Sequence, residues 1–244
     1  KGSSWEWAPA FSWQNAHDIE IKNLTFSGYN DTTSGRLYST RFLEFANVTN
    51  FKLTNIEVSK THGSEDIGIV GAGRFPPAED DKEGWNQAIQ FTSSEKVTID
   101  NVNISCENFI GQMPQDSFDG DGLKIDYGRN FLVKNSQFGN CAHISLSTRW
   151  TNDSIIENNS FSNEFHTSLG AIGENITLMK NTFETWSIYP SESGLGGIAL
   201  ELTLNNSRIY NNIIYFDTPV QTERRNIAID ILGMSGSNGS MQNS

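Results

Sequence analysis

Residues 120–149, GDGLKIDYGRNFLVKNSQFGNCAHISLSTR, decide the fold. Leu123 and Ile125 alternate with polar neighbours, a polar turn follows, and Phe131 and Val133 alternate again. Asn135, Phe138 and a corner of small residues then lead to the next strand at Ile144. Successive side chains of a strand point to opposite faces, so this alternation marks one buried and one solvated face. Two short strands closed by polar corners describe one coil of a parallel β-solenoid.

The unit recurs along the chain. Its second, fourth and ninth positions are apolar and its sixth is Asn, as in DIEIKNLTF (Asn23), NFKLTNIEV (Asn55), KVTIDNVNI (Asn101) and NFLVKNSQF (Asn135). It continues as DSIIENNSF (Asn158), NITLMKNTF, with Lys180 in the Asn position, and NSRIYNNII (Asn211), where Ser154 and Ser207 take the second position. These positions are 32, 46, 34, 23, 22 and 31 residues apart, so the short coils hold little but strands and corners and the long ones carry loops. Repeats of this kind bury their apolar face only by stacking on one another. The expected inward pairs are Leu43/Phe45, Ile89/Phe91, Leu123/Ile125, Ile144/Leu146, Ile198/Leu200 and Ile227/Ile229. A coil corner leaves backbone groups to be satisfied, and an Asn amide does this while tolerating turn geometry. Asn55, Asn101, Asn135 and Asn158 are therefore expected as buried amides bonded to backbone, and Asn23 and Asn158 as inaccessible to modification.

This pattern, from about Asp18 to Ile231, resembles the right-handed parallel β-helix of the pectin-lyase superfamily. The resemblance implies an all-β solenoid of about seven to eight coils over residues 18–232. An aromatic-rich segment, residues 1–17, precedes it with Trp5, Trp7, Phe11 and Trp13, and a polar tail, residues 233–244, follows. The aromatic segment plugs the first coil or lines a sugar site. With no helical cap in the sequence, a larger parent chain or an oligomer is expected to cover the open ends.

Composition narrows the partners. The chain has 244 residues and a formal net charge of −12, which lacks the basic footprint of a nucleic-acid binder. No run of about 18 apolar residues is present, so no membrane span is expected. The nine Asn-x-Ser/Thr sequons and the Asn- and Gly-rich corners suit an extracellular or cell-surface protein. Cys106 and Cys141 fall on consecutive coils; two small buried thiols are expected there, with a disulfide as the alternative. The longest insertion, residues 59–86, holds a Pro-Pro pair and the acidic cluster Glu79, Asp80, Asp81 and Glu83, and reads as an exposed loop.

Chemistry is expected where loops crowd one outer face. Asp116, Asp119 and Asp121 converge on a glycine-rich corner, and the alternate oxygens of Ser117, Asp119 and Asp121 mimic the start of a calcium loop, against the plain reading of an Asp-Gly turn. His143 and His166 follow their Asn positions by the same eight residues, so the two are expected to stack at one corner. Lys124 and Ser145 are expected outward on adjacent coils, with Arg149 at the next turn. Trp150 and Trp186 are candidates for contact with substrate, as are His166 and Ser145. The segment is similar to that of polygalacturonases in which a Gly-Asp-Asp corner is followed one coil later by Gly-His-Gly. Asp121 matches the first Asp and His143 the His. Gly122, Ala142 and Ile144 depart from that pattern and no Arg-Ile-Lys follows, so the hydrolytic mechanism is not carried over.

Two functions are compatible with these residues. In a polysaccharide lyase, or an epimerase or hydrolase, His143 or Lys124 removes the proton α to a uronate carboxylate, Arg149 neutralises the developing charge, and the aspartates hold calcium. In the alternative, the chain is a non-catalytic extracellular module: a fibre, surface-layer or tailspike-like glycan binder. The partner in either case is a polysaccharide.

Overall fold

A computed structural model describes residues 11–27, 41–59, 86–105, 120–139, 141, 144–162, 167–185, 195–216 and 225–231. Its regular elements are strands, and all their pairings are parallel. One row consists of β1 (Phe11–Gln14), β3 (Arg41–Ala46), β5 (Asn86–Thr92), β7 (Gly120–Asp126), β10 (Ile144–Asn152), β13 (Thr167–Glu174), β16 (Leu195–Asn205) and β19 (Arg225–Ile231), each paired with the next. A second row stacks β2 (His17–Ser27), β4 (Thr49–Ser59), β6 (Glu95–Ser105), β8 (Arg129–Lys134), β11 (Ile155–Glu157), β14 (Thr177–Met179) and β17 (Arg208–Tyr210). The ends of the long strands β2, β4 and β6 begin a third row, which continues as β9 (Gln137–Gly139), β12 (Ser160–Ser162), β15 (Thr182–Thr185) and β18 (Ile213–Phe216). A chain that pairs each strand with the equivalent strand one repeat later is a parallel β-helix. Among the described residues no helix is long and apolar enough to cross a membrane.

Register follows the apolar pattern because a slip of one residue would turn every inward side chain into water. Leu43, Ile89 and Leu123 are in register, as are Phe45, Phe91 and Ile125, and all six are fully buried. Aromatic rings stack up the interior. Phe45 and Phe91 lie 4.6 Å apart, and Phe138, Phe161 and Phe183 follow at 5.1 and 4.8 Å. Such pairs contribute about 0.5–1.5 kcal/mol each beyond their burial. The first rung begins inside the aromatic-rich segment: Phe11 and Trp13 lie over Leu43 and Phe45, and the Trp13 ring stacks on Phe45 at 5.4 Å. At the other end, Ile229 of the expected inward pair is not enclosed. Ile229 is 45% exposed because no described strand stacks on β19, and Ile209, which lies over the buried Leu178, is exposed because no described strand stacks on β17.

The asparagines overturn one expectation and explain it. Asn55, Asn101, Asn135 and Asn158 are exposed, as is Asn23, so the expected burial and inaccessibility do not hold. All of them have left-handed backbone, φ between 52° and 58°. Asn is favoured there because its short amide tolerates that conformation. Their amides bond to one another along the surface, Asn55 to Asn23, Asn101 to Asn55 and Asn158 to Asn135, each at 2.8 Å. Lys180 keeps the conformation, with φ 57°. The inward ladder lies one residue later, at the buried Asn159 and Asn181 and the partly buried Asn212. Asn159 Nδ2 donates to the Val133 carbonyl, Asn181 Nδ2 to the Ile156 carbonyl and Asn212 Nδ2 to the Leu178 carbonyl, at 2.9–3.1 Å. The Asn159 and Asn181 amides also link directly at 3.1 Å. Adjacent residues of a corner point to opposite sides, which is why a slip of one position exchanges the two roles.

Cys141 is buried and disulfide-bonded, which corrects the expected free thiol. The chain has one other cysteine, Cys106, which lies outside the described residues.

Candidate functional site

The outer side of the β5–β7–β10 sheet brings together Gln90, Lys124, Asp126 and Arg149. Pairing sets Gln90 beside Lys124 and Thr92 beside Asp126, then Lys124 beside Ser147 and Asp126 beside Arg149. Lys124 and Arg149 therefore share a face across adjacent coils, as their sequence positions suggested. Ser145 does not. It is fully buried, and its carbonyl oxygen lies 2.5 Å from where a Cβ at Gly122 would sit. Backbone register sets Ser147, itself 2% exposed, and not Ser145 beside Lys124.

The Lys124 ammonium lies 3.7 Å from Asp126 Oδ2, with side chains only 10% and 15% exposed. Gln90 Nε2 donates to the same Asp126 Oδ2 at 3.4 Å and to Thr92 Oγ1 at 3.4 Å. Two buried acceptors on the face, Gln90 Oε1 and Asp126 Oδ1, have no hydrogen-bond partner among the described residues. Orphaned buried oxygens are uncommon in folded proteins and call for a donor. Lys124 is half of an ion pair with Asp126. Asp121 is 2% exposed at the start of the same strand.

At the corner that follows, Tyr127 and Trp150 stack in parallel, with centroids 5.0 Å apart and planes 11° from coplanar. They are 58% and 52% exposed. Arg149 precedes Trp150, and no carboxylate among the described residues lies within ion-pair distance of its half-buried guanidinium. The nearby Arg129 is already committed, its Nε bonding Asp153 Oδ2 at 2.9 Å. The Asn175 amide, and then Arg129, hold the Asp153 carboxyl below its ordinary range.

Of the other residues singled out by sequence, His143, His166, Trp186, Asp116 and Asp119 lie outside the described residues. Among the described residues no group of three His, Cys, Asp or Glu side chains is arranged to hold a metal ion. Sequence reasoning missed Gln90, Asp126 and Tyr127. Tyr127 carried a usable signal, since it precedes Trp150 by 23 residues, the same interval that separates Asn135 from Asn158. Gln90 and Asp126 carried none, being ordinary polar residues on the outward side of strands.

No family model matches the chain, and no curated protein matches it by sequence. Among solved structures it is similar to PfbA, a surface adhesin of Streptococcus pneumoniae, with TM-score 0.59 and 13% identity over 91% of this chain and 53% of that one. A second structure of the PfbA surface protein and adhesin gives TM-score 0.53 and 13% identity over 89% and 63%. Tailspike protein 3 of bacteriophage CBA120 is a more distant likeness, with TM-score 0.38 and 14% identity over 83% and 34%. The chain thus spans about half to two thirds of the length of the adhesin structures it matches. At this identity the likeness establishes the fold: the chain is a parallel β-helix.

Proposed function

We propose that this chain is a glycan-binding module of an extracellular or cell-surface adhesive protein, and that it acts by binding rather than by cleaving. The observation that carries this reading is the outer face of β5, β7 and β10. Buried acceptors without partners, Gln90 Oε1 and Asp126 Oδ1, stand beside a held cation, Lys124, and next to exposed aromatic rings. Pyranose rings present the apolar faces that exposed aromatic side chains cover, and the half-buried Arg149 beside them offers donors to a sugar carboxylate. The fold's likeness to a surface adhesin supports the same reading. A lyase asks for a base beside the acidic sugar, and Lys124 is engaged with Asp126.

The test measures retention of the whole chain on immobilised alginate, pectate and glycosaminoglycans, with and without calcium. Absorbance from unsaturated ends and released reducing sugar are followed in parallel. Retention without product, weakened by Asp126→Asn and Gln90→Ala in variants that melt cooperatively, is the expected result. Accumulating product would establish an enzyme instead, and no retention on any polymer would overturn the glycan reading.

A further inference from the structure

Three outward-facing columns of left-handed corner residues run along this molecule. Most members are Asn or Asp; the others are Ser93, Lys96, Tyr127, Trp150 and Lys180. Tyr127 and Trp150 belong to the column that begins with Asn15, Asn47 and Ser93. Backbone bonds fix that succession: Asn15 N–H to Ala46 O, Asn47 N–H to Thr92 O, Ser93 N–H to Asp126 O and Tyr127 N–H to Arg149 O. The φ angles of Tyr127 and Trp150, 56° and 52°, match those of the asparagines. For a bulky aromatic residue that conformation is unfavourable, because the Cβ crowds the following carbonyl. Strain of this kind persists where something else requires the residue.

The column ends at Trp150. Thr148 pairs with Ala171 and Thr151 with Gly173, so Arg149 and Trp150 face the single residue Ile172, and the next coil supplies no left-handed residue to this column. On the other side the column offers only the small Ser93 against Tyr127. The ring pair is therefore flanked along the column by neighbours that leave it more than half exposed. Its immediate neighbour, Arg149, is a guanidinium without an acidic partner among the described residues, in a chain of net charge −12. Fold stability explains none of these three features, and each suits a ring-shaped anionic ligand.

We infer that Tyr127 and Trp150 form a stacking subsite for an acidic pyranose, with the Trp150 ring covering the sugar's apolar face and Arg149 pairing with its carboxylate. The subsite continues the polar face of Gln90, Lys124 and Asp126 and rests on the glycan-binding reading. A guanidinium suits a carboxylate through its planar pair of donors. The guanidinium selects uronate-containing polymers over neutral ones.

The experiment compares the whole chain with the double variant Tyr127→Asn/Trp150→Asn and with Arg149→Gln. The probes are alginate, pectate and hyaluronan, each beside its carboxyl-reduced form. Asparagine suits the corner backbone, so the double variant is expected to melt no lower than the parent while losing at least about tenfold in affinity, a change of about 1.4 kcal/mol. A packing role would move the melting temperature in the opposite direction. Arg149→Gln is expected to lose affinity for the acidic polymer and to keep that for the reduced one. The subsite is overturned if the double variant binds as tightly as the parent, or if carboxyl reduction leaves parental affinity unchanged. In that case continued sensitivity to Gln90→Ala shows that the polar face still binds. If the parent retains none of the probes, subsite and glycan reading fall together.

Discussion

Replacing Asn181 by alanine removes a fully buried amide that joins three coils. Its Oδ1 accepts from the Asn159 N–H at 3.0 Å and from Asn159 Nδ2 at 3.1 Å. Its Nδ2 donates to the Ile156 carbonyl at 2.9 Å and to Asn212 Oδ1 at 3.1 Å. In the variant the Asn159 N–H loses its acceptor and the Ile156 carbonyl loses this donor, both in the interior. Each costs about 1–3 kcal/mol, so the expected loss is about 2–6 kcal/mol. Asn158→Ala makes the contrast. That side chain is exposed, and its loss removes a surface amide bond and the tolerance for a φ of 53°, worth about 1–2 kcal/mol. Urea unfolding followed by tryptophan fluorescence gives both values, provided the slope with denaturant is unchanged between variants. If Asn158→Ala costs as much as Asn181→Ala, the assignment of the structural ladder to Asn159, Asn181 and Asn212 is wrong.

Ile125→Ala, in the fully buried inward column, is expected to cost about 2–5 kcal/mol by the same assay. Gly173→Ala places a Cβ 1.8 Å from the Thr151 carbonyl oxygen, so the two coils must separate; a marked drop in melting temperature is expected, and an unchanged one would contradict the register of β10 on β13. The Asp153 carboxyl is held below its ordinary value of 3.8 by Asn175 and then Arg129. A depressed folded-state value gives stability that is present above 3.8 and lost as pH falls through the folded value. The stability difference between the parent and Asp153→Asn is therefore expected to stay constant from neutral pH to about 5 and to shrink in more acid solution. A difference that grows on acidification would contradict that sign.

How far the sequence reaches can be judged from single residues. The inward column of Leu43, Ile89 and Leu123 was legible because alternation is a local property of each strand and its repetition fixes the stack. The left-handed corners were legible as a recurring Asn, but their direction was not. Asn158 and Asn159 are adjacent and identical in type, and only the bend of the chain between β11 and β12 turns the second inward. Ser145 failed for a related reason: whether it lies beside Lys124 depends on how the coil between the two strands closes, and the sequence spacing allows either Ser145 or Ser147. For Cys141, spacing allowed both a thiol and a disulfide.

The sequence by itself determined the solenoid, its parallel rows and most of its core, since these follow from a periodic pattern read one strand at a time. It also supplied Lys124, Arg149 and Trp150 as residues of one neighbourhood. The tertiary structure alone decided that Lys124 faces Asp126, that Gln90 joins them from the preceding coil, and that Tyr127 lies beneath Trp150. Those contacts cross coils whose lengths differ through their loops, so their register is set by backbone pairing between strands rather than by distance along the chain.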